Sequence, residues 1–293
     1  MKDTKRIIAA WRRRLLIGFG VAFLLFMAVA WLAGGFLIRP AKRNIRAPDD
    51  LQMESVSIES DSGATLAGWY LPNTDKAATV LLFHPVRGNR TSMLGRAKML
   101  HDAGFAVTMI DFQAHGESSG EQIAFGFLEK HDVQATIEFA KAKDPTHEIG
   151  IVGWSLGGAA TLLAQSGNID AVVLESVYPT IKEAVANRLA MRIGWLQKVI
   201  SPVLLWQLPH RLGIGPDDLR PIDSVARLEC PVLIMAGDQD HHTTLAETNR
   251  LFEAANEPKE LVIFQGASHE DLFKYDPQKY EQKVVEFLSG ILK

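Results

Sequence analysis

The sequence is poor in three features that would place it in a class at once: cysteine, net charge and internal repetition. Its 293 residues contain one cysteine, Cys230, so no disulfide can form within the chain. The formal net charge is -3, which gives no electrostatic basis for binding nucleic acid. No repeat or low-complexity tract is visible. What remains is ordinary globular composition, since 47% of the residues are hydrophobic and 22% are charged.

Another absence is local: no residue from Leu15 to Ile38 carries a charge. A helix of that length, rising about 1.5 Å per residue, spans the roughly 30 Å hydrocarbon core of a bilayer. Trp11 and Trp31 lie near the two ends of the run, where amphipathic rings prefer the membrane interface. We therefore predict a transmembrane helix over residues 15–38.

The alternative is a cleaved signal peptide, whose apolar region normally has about 7–15 residues and ends at a small-residue site. The run here is longer and bulky Trp31, Phe36 and Leu37 follow its best Ala-Val-Ala site, so we favour an uncleaved anchor. More basic residues precede the run than follow it, which favours a cytoplasmic segment at 1–14. The rest of the chain would then lie outside a bacterial inner membrane, in the periplasm, after a polar linker at 39–50.

From residue 51 onward, short apolar runs alternate with segments of helical pattern. Ser55–Glu59 and Thr65–Leu71 flank an Asp-Ser-Gly turn, which predicts an antiparallel hairpin. Thr79–His84 is continuously apolar, as in a strand buried on both faces of a parallel sheet. Further strands are predicted at Phe105–Asp111, Glu148–Gly153, Ala171–Glu175, Pro231–Gly237 and Leu261–Gln265, with helices at 91–103, 127–143, 155–166, 243–256 and 276–292. This alternation predicts an α/β domain over 51–293, with a mostly parallel sheet and helices on both faces.

The stretch between the strands ending at Glu175 and starting at Pro231 is too long for a plain crossover, and it is rich in large apolar residues. Four prolines divide it into short pieces: Pro202, Pro209, Pro216 and Pro221. We predict a small helical cap insertion at about 178–222. A single crossover helix with a long loop is the alternative.

The central motif is Gly153-Trp154-Ser155-Leu156-Gly157, between a predicted strand and a predicted helix. This is the context that a nucleophilic serine on a sharp strand-to-helix turn requires. Residues two before and two after the serine must be small to avoid collision. The N–H of Leu156 lies at the positive end of the following helix, so we expect it to stabilise an oxyanion.

The partners of a nucleophilic serine follow in the order acid, then histidine. One buried strand is followed by Asp238-Gln239-Asp240 and a later one by Ser268-His269, both at the strand ends where ligands bind in open α/β sheets. His269 can take the serine proton near neutral pH, and a carboxylate can orient its ring. We assign the carboxylate to Asp240, with Asp238 as the alternative.

The second oxyanion donor is expected in the loop after Thr79–His84. Val86 is the first candidate and Arg87 the second, since Pro85 has no N–H. We expect His84 to shape this loop rather than act as a base.

Three further histidines lie outside the predicted triad. His115 is expected to order its own loop through hydrogen bonds. His241 and His242 stand beside Asp238 and Asp240 but lack helical metal-ligand spacing, so no metal site is predicted. The sequence gives no reason for a cofactor.

Taken together, the chain resembles membrane-anchored bacterial α/β-hydrolases of the serine aminopeptidase S33-like group. The resemblance covers roughly residues 51–293 and implies the α/β-hydrolase fold with a triad of Ser155, Asp240 and His269. The sequence departs from the usual family pattern at Pro85, where glycine is common, and at Gln113, where arginine is common.

Three functions are compatible with these residues. A carboxylester or thioester hydrolase acting through an acyl-enzyme is favoured, because an anchor and an apolar insertion suit a lipophilic acyl substrate. An S33-type peptidase needs a carboxylate for the substrate's amino terminus, and none is identifiable. A non-catalytic binding protein would retain the fold, but such proteins usually lose the serine or the histidine.

Overall fold

The computed structural model describes residues 2–48 and 51–293, and its first element is a long helix, α1 (Lys2–Leu37). Within it, Arg6–Leu37 is long and apolar enough to cross a membrane. Only 6% of its most apolar 18-residue segment is buried against the protein. The predicted span at 15–38 lies in this segment, ending one residue beyond the helix. By length and composition, such a helix can be either an anchor or a signal sequence.

Within residues 51–293, eight strands form one sheet in the order β10-β9-β8-β7-β4-β5-β3-β2. The strands of the chain are β1 (Ala41–Lys42), β2 (Glu54–Glu59), β3 (Thr65–Leu71), β4 (Ala78–Phe83), β5 (Ala106–Ile110), β6 (His115–Gly116), β7 (Glu148–Trp154), β8 (Ala171–Glu175), β9 (Val232–Gly237) and β10 (Lys259–Phe264). The β2–β3 hairpin is antiparallel, β3 pairs antiparallel with β5, and every other pair in this sheet is parallel. The predicted strands are therefore present, with ends shifted by at most two residues.

Helices cover both faces of the sheet, as predicted. They are α2 (Leu94–Asp102), α3 (Glu129–Lys143), α4 (Leu156–Ala164), α5 (Ile181–Ile193), α6 (Gln197–Leu205), α7 (Leu208–Leu212), α8 (Pro221–Val225), α9 (Leu245–Ala254), α10 (Leu272–Tyr275) and α11 (Pro277–Ile291). Alternate residues of β4 enter opposite cores, with Leu81 on the α3–α4 side and Leu82 on the α2–α11 side. Both leucines are fully buried, which is why β4 has no polar face.

The segment between β8 and β9 contains α5, α6, α7, α8 and two 3₁₀ turns rather than one crossover helix. Pro209, Pro216 and Pro221 stand in the first turns of short helices, where a missing N–H costs nothing. Pro202 instead lies inside α6, so this proline does not separate two helices.

The insertion packs against the last turns of α1. Gln207 donates its side-chain amide to the carbonyl of Ala30 at 2.9 Å. Arg211 donates to the carbonyl of Trp31, and its guanidinium lies 4.0 Å from that indole ring. A small apolar cavity of about 40 Å³, lined by Gly34 and Leu37 among others, lies between α1 and the insertion. The end of α1 is therefore in contact with the α/β domain.

The predicted linker at 39–50 is also in contact with the domain along part of its length. Ala41 and Lys42 form β1, which pairs in parallel with His115 and Gly116 of β6. Lys42 also donates through its ammonium to the carbonyl of Ser118. Polar composition predicted a linker and gave no signal for this pairing, because the pairing uses backbone groups alone. Residues 49 and 50 of this segment lie outside the described residues.

Two glycines of α1 provide a matched test of this docking. A Cβ at Gly34 would lie 2.2 Å from Oε1 of the buried Gln207, whereas one at Gly18 meets nothing within 4 Å. We expect Gly34→Leu to cost about 1–3 kcal/mol of stability through overpacking. Thermal unfolding of the full chain in detergent should show a lower Tm for Gly34→Leu and no decrease for Gly18→Leu. Equal melting temperatures would contradict the packing of α1 on the insertion.

Candidate active site

Ser155 lies on a strained turn between β7 and α4. Its φ is +51°, a region that non-glycine residues rarely adopt. A Cβ at Gly153 would approach the Cα of Gly158 to 2.6 Å, and one at Gly157 would approach the carbonyl oxygen of Phe83 to 2.2 Å. The glycines are therefore needed for two different reasons: one avoids collision across the turn, and the other lets the turn press against β4.

The structure brings Asp240 and His269 together from the ends of β9 and β10. His269 Nδ1 and Asp240 Oδ2 are 2.7 Å apart, and the other Asp240 oxygen accepts the backbone N–H groups of His242 and Thr243 at 2.7 and 2.9 Å. Burial raises the pKa of Asp240, but these hydrogen bonds outweigh it and hold the pKa below its ordinary value. Asp240 is therefore ionised at neutral pH, as the orienting acid must be.

The alternative acid, Asp238, has a different partner. It accepts the backbone N–H of Gly266 at 2.7 Å, which ties the loop after β9 to the loop after β10. Asp238 thus helps to hold the His269 loop in place without contacting the imidazole ring.

The serine hydroxyl is not joined to the histidine in this state. Across the described residues, no hydrogen bond links Ser155 Oγ with His269, although Ser155 is 1% exposed and His269 partly buried. Catalytic hydrogen bonds are often long without substrate and tighten when it binds. The N–H of Ser155 donates to the carbonyl of Glu175 at 2.8 Å, which fixes the turn to the end of β8.

The loop after β4 is shaped by His84. Its Nε2 accepts the N–H of Phe112 at 3.0 Å, so the ring proton is on Nδ1, which donates to the carbonyl of Pro85 at 2.8 Å. The N–H of Gly88 also donates to Pro85 O. Burial lowers the pKa of His84 to about 4, so the ring is neutral at pH 7. The loop-shaping role predicted for His84 agrees with these contacts.

The two predicted oxyanion donors are in suitable positions of the chain. Leu156 is the first residue of α4, so its N–H has no partner within the helix. Among the described residues, neither Leu156 nor Val86 donates its backbone N–H to a non-helical partner. Arg87, the second candidate, has φ of +60° and points its side chain at α1 instead.

The charged side chains of the loop at residues 111–118 interact with one another and with Arg90, which the sequence did not predict. Buried Asp111 accepts the side chain and the backbone N–H of Arg90 and the N–H of Glu117. Gln113, which stands where arginine is common, donates to Glu129 at 2.9 Å. The Gln113 amide therefore bonds to the Glu129 carboxylate, a contact that an arginine side chain could also make. His115 Nδ1 bonds to the carbonyl of Gln113 at 2.9 Å, so this histidine does order its loop.

Arg96 is the structural residue that sequence reasoning missed. It is fully buried, and its guanidinium donates to both oxygens of Glu175 at 2.9 and 2.6 Å. It also pairs with Asp271 at 2.8 Å, two residues after His269, and Tyr280 donates to the same Glu175 carboxylate. Burial lowers the pKa of Arg96, but these acidic neighbours outweigh it, so the guanidinium stays charged. The sequence carries no distinct signal for it, since Arg96 lies in a mixed segment that also contains Arg90 and Lys98.

A cluster of metal-ligand side chains coincides with the catalytic pair. Ligand-type atoms of Asp240, His242 and His269 lie within 4.8 Å of one another. However, Asp240 and His269 already satisfy each other through the 2.7 Å hydrogen bond. Binding a cation here would require breaking that pair, so the arrangement favours proton transfer.

Comparison with known proteins supports this architecture. Residues 74–215 match the family described as serine aminopeptidase, S33. The uncharacterised protein YqkD of Bacillus subtilis is 27% identical over 82% of this chain and 81% of its own. The esterase Pf2001 of Pyrococcus furiosus superposes with a TM-score of 0.72 at 21% identity, covering 87% of this chain and 100% of that one. XC6422 of Xanthomonas campestris, described as an a/b serine hydrolase without lid, gives 0.58 at 18% identity over 84% and 97%. The predicted fold is confirmed.

The buried Arg96–Glu175 pair predicts a large effect of removing one partner. Arg96→Met leaves the Glu175 carboxylate buried without its cation, which costs about 3–5 kcal/mol. The exposed pair of Arg220 and Asp223 is a matched control, because Arg220→Met should change stability little. Denaturant unfolding of both variants measures the difference. Similar losses in the two variants would contradict a structural role for Arg96.

His84 predicts a pH dependence of stability. As the pH falls from about 6.5 to about 4, the unfolded chain binds a proton at this histidine and the folded chain does not. The free energy of unfolding therefore decreases over this window, by on the order of 3 kcal/mol. His84→Gln keeps an acceptor for the Phe112 N–H but cannot titrate. Unfolding curves at several pH values should show a shallower dependence for the variant, and identical slopes would rule the assignment out.

Proposed function

We propose that the chain is a membrane-anchored serine hydrolase that cleaves carboxylic esters or thioesters, because its fold is similar to that of α/β-hydrolases and residues 74–215 match the serine aminopeptidase S33 family. The observation that carries this proposal is the Asp240–His269 pair, placed by neighbouring strand ends on the same edge of the sheet as the strained Ser155 turn. An ionised carboxylate on Nδ1 leaves Nε2 of His269 free to accept a proton. That is the base an otherwise unreactive serine hydroxyl needs.

The reaction would proceed in two half-reactions. Ser155 Oγ attacks the acyl carbonyl carbon while His269 takes the hydroxyl proton, and the carbonyl oxygen becomes an anion. The N–H groups of Leu156 and Val86 are the proposed donors to that oxygen. His269 then returns the proton to the leaving alcohol or thiol, which leaves an acyl-enzyme. A water molecule, deprotonated by His269, releases the acid and restores the serine.

The charge around this corner supports an ester rather than an aminopeptidase substrate. Arg188 of α5 is largely buried, and its one hydrogen bond within the described chain goes to the carbonyl of Ala184 at 2.9 Å. Burial lowers the pKa of His242 first, and nearby His269, Arg188 and Arg192 lower it further. The two arginines would also repel a free ammonium group of a substrate placed beside them.

Glu247 of α9, a carboxylate close to Arg188, already has hydrogen-bond partners. Glu247 accepts the side-chain amide of Asn187 at 2.8 Å and the N–H of Thr244 at 2.8 Å. It therefore serves as a helix-capping carboxylate, and binding a peptide amino terminus would require breaking those bonds. An S33-type peptidase remains the second candidate, supported by the family match over residues 74–215.

Membrane anchoring is supported by the contacts of α1. Arg87 Nη2 donates to the carbonyls of Phe36 and Leu37 at 2.8 and 3.2 Å, and Gln207 donates to Ala30. Removal of α1 as a signal peptide would abolish these contacts, so they favour a retained anchor. The greater basic charge before the span supports a cytoplasmic N-terminus and a periplasmic catalytic domain.

A fluorophosphonate probe tests the nucleophile. The full chain in detergent should be labelled once, and Ser155→Ala should abolish labelling and ester hydrolysis because Ser155 is the proposed nucleophile that His269 activates. Ser176→Ala is the matched control, since Ser176 is also a buried serine at a strand end with positive φ. It should retain labelling.

Substrate panels then separate the remaining functions. Short and medium acyl esters should turn over, and aminoacyl amides should not. Preferential hydrolysis of the amides would favour the peptidase. If the fluorophosphonate probe does not label the wild type, the remaining candidate is a non-catalytic binding protein.

A further inference from the structure

The insertion has an exposed apolar surface, here called the cap face, formed by Met191, Trp195, Leu196, Val199 and Trp206. Their exposed fractions are 52%, 73%, 41%, 54% and 52%. Single exposed hydrophobic residues are ordinary on soluble proteins, but five large ones within one short stretch, two of them tryptophan, are not. This surface lies outside the catalytic residues.

Helix α6 exposes one large apolar side chain while it buries a polar one. Its most buried residue is Ser201, at 6% exposure, whereas Val199 is 54% exposed. Val203, Leu204 and Leu205 are partly buried on the side that faces the protein. An apolar medium outside α6 would explain why Val199 is on the exposed side.

The cap face is continuous with the surface of α1. Leu205 lines the cavity that also contains Leu37, and Gln207 bonds to Ala30, so both neighbours of Trp206 contact the last turns of α1. At the end of α1, Phe36 is 59% exposed. The cap face therefore lies at the level where a membrane-spanning α1 leaves the hydrocarbon.

The charge of these two segments has one sign. Residues 184–216 contain no aspartate or glutamate, and neither do residues 4–48. Exposed cations accompany both, among them Lys198 beside Val199, Arg192 beside Met191, and Arg39 after α1. An apolar surface bordered by cations fits an interface with anionic head groups, whereas acids would be repelled by it.

We propose that the cap face inserts into the head-group region of the same bilayer that α1 crosses, with Arg192 and Lys198 next to anionic lipid phosphates. Tryptophan is the side chain best suited to this depth, because its ring is apolar and its N–H can reach water or a phosphate. The proposal rests on the membrane anchoring in the proposed function, and adds a second membrane contact made by the catalytic domain itself.

The cap face is also connected to the catalytic corner. Asn187, one turn before Met191 on α5, donates to the carbonyl of His242 at 3.2 Å, beside Asp240. A lipid-embedded α5 thus has its last turn in the interface and its middle against the acid loop. The proposal therefore predicts that a lipophilic ester reaches the site from the bilayer, with a preference for membrane-embedded esters over soluble ones.

Site-specific fluorescence tests the proposal on the full chain. Cys230→Ser removes the one native thiol, and Trp195→Cys, Val199→Cys, Phe23→Cys or Glu281→Cys then places an environment-sensitive label. The labelled protein is reconstituted in vesicles of phosphatidylcholine and phosphatidylglycerol that carry lipid-borne quenchers. We expect quenching at positions 195 and 199 several-fold stronger than at 281, an exposed position of α11.

The outcomes test the membrane contact of the cap face and the membrane anchoring by α1 separately. Quenching at position 23 but not at 195 and 199 would overturn the inference and leave the anchor intact. No quenching at position 23 would overturn membrane anchoring itself. Protection of 195 and 199 from aqueous iodide without lipid quenching would indicate a second copy or another protein, which also overturns the inference.

A functional measurement complements the labelling. The double variant Trp195→Ser and Val199→Ser should hydrolyse a vesicle-embedded long-chain ester several-fold more slowly than the wild type, with unchanged rates on a soluble short-chain ester. An equal loss on both substrates would indicate structural damage instead and would contradict the proposal.

Discussion

The arrangement of the site depends on one buried ion pair, between Arg96 and Glu175. Arg96 comes from the helix after the His84 loop, and Glu175 ends the strand whose carbonyl holds the N–H of Ser155. The same guanidinium binds Asp271, next to the His269 loop, and lies 5.1 Å from the ring of Trp154. A planar cation with five donors can bind several loops at once, which a hydrophobic side chain cannot. Burying this cation is unfavourable by itself, but it holds the loops of Ser155 and His269 in fixed positions relative to each other.

Neutral polar groups complete this support where another charge would be unfavourable. Burial lowers the pKa of His84 to about 4 and that of His115 to about 3, the latter also through the nearby His84. Their rings lie 5.1 Å apart, so the two could not both be protonated without repelling each other. Kept neutral, each ring can accept on one nitrogen and donate on the other. His84 uses both, because it donates to the Pro85 carbonyl and accepts the N–H of Phe112. The loop that carries Val86 is thus fixed by hydrogen bonds that hold only above acidic pH.

Sequence patterns predicted what depends on local chemistry. The positions of the strands, the Ser155 turn and the strand-end positions of Asp240 and His269 follow from apolar runs and from residues that follow them directly. The sequence left Asp238 as an alternative acid, because both aspartates follow the same strand and only the position of the His269 loop distinguishes them. Arg96 could not be assigned, since its partners lie 79 and 184 residues away along the chain.

Contacts between distant segments were also not predictable for the linker. Residues 39–48 are polar and basic, which is typical of a juxtamembrane linker, and Ala41 and Lys42 pair with residues 115 and 116. Such pairing uses backbone groups alone, so side-chain composition carries no signal for it. The same holds for α1, whose apolar pattern predicts a membrane span but not the hydrogen bond from Gln207.

These contacts connect the anchor to the chemistry through adjacent residues. Val86 and Arg87 are neighbours in one turn; the N–H of Val86 has no partner in the described structure, and Arg87 holds the last carbonyls of α1. A cation at that end of a helix is favourable because the carbonyls there carry partial negative charge. Since Gln207 fixes α1 about two turns earlier, α1, the insertion and the loop after β4 form a closed set of contacts. The position of α1 relative to Ser155 is then a property of the fold, and a displacement of α1 would displace the proposed oxyanion donor with it.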